Sequence, residues 1–201
     1  YNQVCATTSK GELYCWGVNT NNVMSAASTL STVSTPIKLD FSEFVHKVYV
    51  GKKHSCVILG TERKVKCWGQ NDGTRLGINN STTPFLYTMS SYVKDENGTD
   101  ISNVYRVDAD HWANVTCAIN YETANDTSKL LCWGSAVSSY QAKEKDSGSG
   151  ANKIYDLKFG SYQYALHKGD QILFTTNINS TFNAKTEIPN VISIGGSYVH
   201  M

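Results

Sequence analysis

The 201-residue chain carries no surplus of either charge: 18 Lys and Arg stand against 17 Asp and Glu, a net charge of +1. That balance supplies no field that would draw in nucleic acid or an anionic membrane. No apolar run approaches the ~20 residues of a membrane-crossing helix. No segment sustains a 3.6-residue apolar period, so long helices are not expected. The sequence has no G-x-S-x-G, no H-E-x-x-H, no P-loop and no Rossmann glycine pattern. Its cysteines include no C-x-x-C, which argues against zinc and thioredoxin-type chemistry. The expectation is a protein that is not an enzyme, holds no cofactor or metal, and binds neither nucleic acid nor membrane. No signal peptide is visible and the chain opens on Tyr1, as a processed chain or an excised segment would.

What is present is a repeated phrase. Two short strands flank a polar turn and end in Cys-Trp-Gly: CATTSKGELYCWGVN over 5–19, CVILGTERKVKCWGQNDGTRLG over 56–77, and CAINYETANDTSKLLCWGS over 117–135. A degenerate copy, ALHKGDQILFTTN, covers 165–177, with Ala165 and Leu173 in place of the cysteines and Phe174 in place of the Trp. Self-similarity at roughly fifty residues marks a repeat architecture. Short strands separated by turn signals make it all-β. The reading is one repeat domain over 1–201, with units near 1–44, 45–102, 103–152 and 153–190, and a last strand in 191–201. Residues 92–100 and 135–152 are polar enough to read as solvated loops, the second of low complexity.

The phrase resembles the repeat of the regulator-of-chromosome-condensation family. The second copy fits best, through Val48, Gly51, His54, Val57, Trp68, Gly69, Asn71, Leu76, Gly77 and Pro84. Arg75 stands where the family has Gln, and Thr74 where it has Gly. The first copy keeps Trp16, Gly17, Asn19 and Pro36 but has Met24 and Ser25 for Leu-Gly. The third keeps Trp133 and Gly134. The resemblance implies β-propeller blades of four antiparallel strands. Four repeats could form a closed ring or an open arc. It also makes guanine-nucleotide exchange, the activity of the family's founder, a third functional class, which the cysteines and sequons disfavour.

The six cysteines fall as three pairs, each flanking one hairpin turn: Cys5 with Cys15, Cys56 with Cys67, and Cys117 with Cys132. Facing positions on antiparallel strands lie ~4.5–5.5 Å apart, within reach of a disulfide. The fourth copy loses both members together, as pairs would. The alternative is buried thiols in a cytosolic protein; disulfides imply an oxidising, extracellular compartment. N-x-S/T sequons at Asn79, Asn80, Asn97, Asn114, Asn125 and Asn179 point the same way, toward N-linked glycans. Asn114 stands at a strand entrance and fits less well.

His54 and His200 share a repeat position and are expected to bond a neighbouring blade's backbone. His46, His111 and His167 share no frame and read as surface residues. Trp16, Trp68 and Trp133 read as inter-blade core, and Trp112, outside that frame, as the better candidate for exposed contact. Lys52, Lys53, Arg63, Lys64 and Lys66 read as a solvated face. The Asp95-x-Asn97-x-Thr99 spacing has a calcium-loop flavour but lacks the distal Glu.

The ends carry the functional expectation. Residues 191–200 repeat the opening of a unit, with Val191 and Ile194 in the frame of Val45 and Val48. The first unit starts at Gln3, in the frame of His54, and so lacks that opening strand. Strand residues Val191, Ile192 and Ile194 are expected to pair with the hairpin containing Val4 and Cys5. The favoured function is a structural or assembly module whose copies or neighbouring repeats join head to tail, as a ring or filament. The alternative is a secreted propeller that binds a protein partner through its loop face.

Overall fold

The computed structural model describes residues 3–19, 31–78, 85–86, 91–109, 114–159, 164–180 and 182–187. Among them the chain forms antiparallel strands and two short 3-10 turns.

The first sheet holds β1 (Gln3–Thr7), β2 (Leu13–Val18) and β3 (Thr32–Leu39). The second holds β4 (Val45–Val50), β5 (His54–Leu59), β6 (Lys64–Gln70) and β7 (Phe85–Leu86). The third holds β8 (Val104–Ala109), β9 (Thr116–Glu122), β10 (Thr127–Gly134) and β11 (Ser139–Ser149). The fourth holds β12 (Ile154–Phe159), β13 (Tyr164–Lys168), β14 (Gln171–Thr175) and β15 (Asn183–Glu187). Each is an up-and-down meander, the form of a propeller blade.

The apolar residues sort into three cores, one per junction between successive sheets. Leu13, Cys15, Val33 and Leu39 of the first sheet meet Val57, Leu59 and Trp68 of the second. Cys56, Ile58, Val65 and Cys67 meet Val104, Ala118 and Trp133. Cys117, Ile119, Leu130 and Cys132 meet Leu157, Phe159, Tyr164 and Leu166. Among the described residues no core cluster joins the first sheet to the fourth, and their four sheets follow one another as an arc.

The Cys-Trp dipeptide explains how one strand serves two junctions. Successive residues of a strand point to opposite faces. Cys67 therefore enters the core shared with the third sheet, while Trp68 enters the core shared with the first. Cys132 and Trp133 divide in the same way between the fourth and second sheets. The glycine that follows has positive φ each time: 103° at Gly17, 111° at Gly69 and 118° at Gly134. At Gly134 a Cβ would sit 2.0 Å from the Asn114 carbonyl oxygen, so only glycine fits.

Several expectations change. Residues 139–149 are not a loop but an eleven-residue strand, β11, paired along β10. Residues 92–100 form a small hairpin rather than a solvated loop, with Val93 fully buried. Val93 N donates to Val65 O, and Ala142 N donates to Lys94 O, so the insertion stitches the second sheet to the third. The third hairpin's extra residues lengthen β9 and β10, and its turn is only 123–126. In the first unit β3 begins at Thr32. Phe41 lies beyond the end of β3 at Leu39, and Phe44 lies just ahead of β4. Pro36 sits in that strand at a register shift, on an edge where its missing N–H costs nothing.

The fourth copy is shifted by one residue from its expected frame. Cys56 faces Cys67 in the second sheet, but Ala165 faces Phe174, and Leu166 faces Leu173. Ala165 and Phe174 thus take the cysteine places, and Thr175 takes the Trp place, opposite Tyr164. Tyr164 and Phe159 fill the space with an edge-to-face pair, centroids 5.1 Å apart.

Each complete inner strand also carries a register shift at its second residue: His46, Tyr105 and Tyr155. A bulge of this kind re-aims one side chain out of the ladder.

Candidate protein-binding surface

The cysteine pairs are bridged: Cys5–Cys15, Cys56–Cys67 and Cys117–Cys132. Cys56, Cys67, Cys117 and Cys132 are fully buried, whereas Cys5 is half-buried.

The junction between the second and third sheets holds a buried polar lock. The loop after β6 brings Arg75 to a position 1 % exposed. Its guanidinium donates to Asp72 Oδ1 and to Asn114 Oδ1. Its backbone carbonyl accepts from Trp133 Nε1 at 2.7 Å and from Thr116 Oγ1 at 2.9 Å. Because that hydroxyl donates to the carbonyl, it accepts from His54 Nε2 at 2.8 Å. His54 therefore reaches a neighbouring blade, through the side chain of Thr116. Burial disfavours the charged form of Arg75, and Asp72 opposes that effect. A bidentate-capable guanidinium at the family's Gln position is thus paired and satisfied at one end. Trp68 Nε1 finds no partner among the described residues.

His167 is buried on β13 with its ring 5.2 Å from that of Tyr155, not on the surface. His46 pairs through Nε2 with Gly60 O at 2.9 Å. Of the basic cluster, Lys64 pairs with Glu62 and Asp100, and Lys66 with Glu43. Asp95 Oδ1 accepts from Asn97 N and Thr99 N, both at 2.9 Å. That carboxylate ties a turn rather than lining a calcium loop. Among the described residues no three His, Cys, Asp or Glu come together to hold a metal.

The sequons separate by environment. Asn97 and Asn125 are exposed on turns. Asn114 lies inside the polar lock, and the Thr116 of its sequon is fully buried. Asn179 spans two contacts, donating to Ala136 O and accepting from Lys145 Nζ. Asn79 and Asn80 lie outside the described residues, as do His111, Trp112 and His200. Glycopeptide mapping of native material is expected to find glycan on Asn97 and Asn125 and a bare Asn114. Glycan on Asn114 would mean that the lock between the second and third sheets does not form.

One edge stands apart. In the other three sheets the strand in β1's position (β5, β9 or β13) is paired on both sides. Among the described residues β1 pairs with β2 alone, and its Val4 is 47 % exposed. Trp16, half-buried, lacks the covering that Trp68 and Trp133 receive. The expected partner strand at 191–194 lies outside the described residues.

The regulator of chromosome condensation (RCC1) repeat matches residues 10–58. This stretch is similar to an RCC1 repeat. It begins in the turn before β2 and ends within β5, so the RCC1 sequence unit straddles two sheets. The arc superimposes on the crystal structure of yeast RCC1 (Prp20) bound to Kap60 with a TM-score of 0.62 and 19 % identity. That match covers 86 % of this chain and 39 % of the other. For Prp20p of Saccharomyces cerevisiae, described with its binding properties to Gsp1p and histones, the TM-score is 0.59 and the identity 18 %. Coverage there is 86 % and 41 %. Human WBSCR16 gives 0.59 and 12 %, with 86 % and 45 % covered. The chain thus spans less than half the length of these three structures. No curated protein sequence matches it. The shared feature is the RCC1-type propeller fold, here as four sheets in an open arc.

Proposed function

We propose that this chain is a non-enzymatic, extracellular protein-binding module that joins copies of itself or neighbouring repeats through the open edge of its first sheet. The observation that carries the reading is β1, which among the described residues lacks the inner strand its counterparts possess. An unpaired strand offers a row of backbone donors and acceptors, which sheet proteins cover. A segment that repeats the opening of a unit, such as 191–194, has the pattern to fill it, and supplied by another copy it makes a head-to-tail contact. The three disulfides favour an oxidising compartment. The exposed turns at Asn97 and Asn125 favour glycan there. The RCC1-type structures it matches include proteins described as bound to Kap60 or binding Gsp1p and histones, which supports a protein as partner.

Native hydrogen exchange on residues 3–7 tests the reading. Protection is expected to rise with protein concentration and to vanish in a chain lacking 191–201. Equal protection at every concentration, lost on the same deletion, would place the strand within one chain and remove the motive for assembly. In that case binding through the loop face becomes the better account.

A further inference from the structure

A cleft of about 460 Å³ opens where three sheets meet. Arg63 comes from the turn after β5, Tyr105 and Tyr121 from β8 and β9, and Lys153, Ile154 and Tyr155 from the start of β12. Its wall is mostly apolar. Two of its three tyrosines are the bulge residues of their inner strands, so the repeat geometry itself turns their rings out of the ladder.

The rings are held in place. Tyr105 donates its hydroxyl to Ile154 O, across the junction between the third and fourth sheets. Tyr121 donates to Asp126 Oδ1 at 2.5 Å, with Lys153 Nζ 5.2 Å from its ring centroid. Tyr155 remains 45 % exposed. Fixed aromatic faces lose little conformational freedom on binding, which is why tyrosines recur at protein-recognition sites.

The charge around the cleft does not balance. Lys153 is paired with Asp126 at 2.7 Å, and Glu62 is taken by Lys64. Arg63 is exposed and makes no ion pair among the described residues. An apolar wall with one uncompensated guanidinium at its rim is complementary to an apolar side chain next to a carboxylate.

We propose that this cleft docks an extended segment of a partner protein, seating an apolar side chain against Tyr105, Tyr121 and Tyr155 and a carboxylate on Arg63. The site rests on the protein-binding reading above but not on the β1 edge.

Selecting a displayed library of random peptides on the full chain tests it. Enriched peptides are expected to share an apolar residue with Asp or Glu close by. By fluorescence anisotropy, their affinity should fall about tenfold with Tyr155→Ser and with Arg63→Glu, both exposed sites, at unchanged melting temperature. A peptide with the acidic residue changed to Lys should regain binding to the Arg63→Glu chain. Failure to enrich any peptide, enrichment of peptides without a carboxylate, or affinity unmoved by both variants would overturn the proposal. Peptides that lose binding only when the β1 edge is occupied would overturn the cleft and leave the assembly reading standing.

Discussion

Removing the Cys117–Cys132 bridge by the double change to alanine is expected to lower stability by about 3 kcal/mol, the loop-entropy value for a loop of this length. The two cysteines are 15 residues apart in sequence. Both are fully buried in the core between the third and fourth sheets. Freed from each other, the two strands also lose contact with Leu157 and Leu166 across the junction. The Cys5–Cys15 bridge closes a shorter loop, its cysteines 10 residues apart, and Cys5 is only half-buried although Cys15 is buried, so the effect of removing it should be smaller. Urea denaturation of the two double variants against the parent chain decides the order. A larger loss at Cys5–Cys15 would show that the first sheet, not the inner junctions, limits stability.

Trp133→Ala should cost more, about 3–5 kcal/mol, as large-to-small changes of buried aromatics do. Trp133 is fully buried between the second and third sheets, and its indole N–H is one of two donors to the Arg75 carbonyl. The loss has two parts: a cavity against Leu76 and Val93, and a carbonyl left with Thr116 alone. Trp133→Phe retains most of the volume and isolates the hydrogen bond, at about 1–2 kcal/mol. Trp16→Ala, at a position only half-buried, should fall well below Trp133→Ala in the same urea series. Equal losses would mean that Trp16 is covered as fully as Trp133 in the assembled protein, which would itself support a neighbour docked on the first sheet.

The sequence carried the repeat, the hairpins and the cysteine pairs because each is local. Facing positions in a hairpin depend only on turn length and strand period. β11 was hidden for a physical reason. It is an outer strand, and in its run of Gln, Lys, Glu, Ser and Gly only Ala142 is buried. Edge strands are kept polar to block stray pairing, so their pattern imitates a loop. The frame shift of the fourth copy was hidden because no cysteine survives to fix the register, and its turn, Gly169 and Asp170, is shorter than the others. Arg75 was legible as a departure from the family pattern, but its partners Asp72 and Asn114 come from two sheets, and the contact with Asn114 is set by how blades pack. The cleft tyrosines had a signal: an aromatic or imidazole ring follows the first apolar residue of each complete inner strand, at His46, Tyr105 and Tyr155. Only the bulges give that coincidence a direction.

The small hairpin over 92–100 has a mechanical consequence. Among the described residues each sheet shares a core only with its neighbours, so tension applied across the arc would act on three junctions in series. Two of them are held by side chains and scattered hydrogen bonds. The middle one is also crossed by the backbone hydrogen bonds of the hairpin, from Val65 through Val93 and Lys94 to Ala142. Under load the end sheets should peel away first while the second and third stay joined. The first hairpin would then stop short at its Cys5–Cys15 bridge, whereas the fourth, whose copy has no cysteines, would lengthen without that limit.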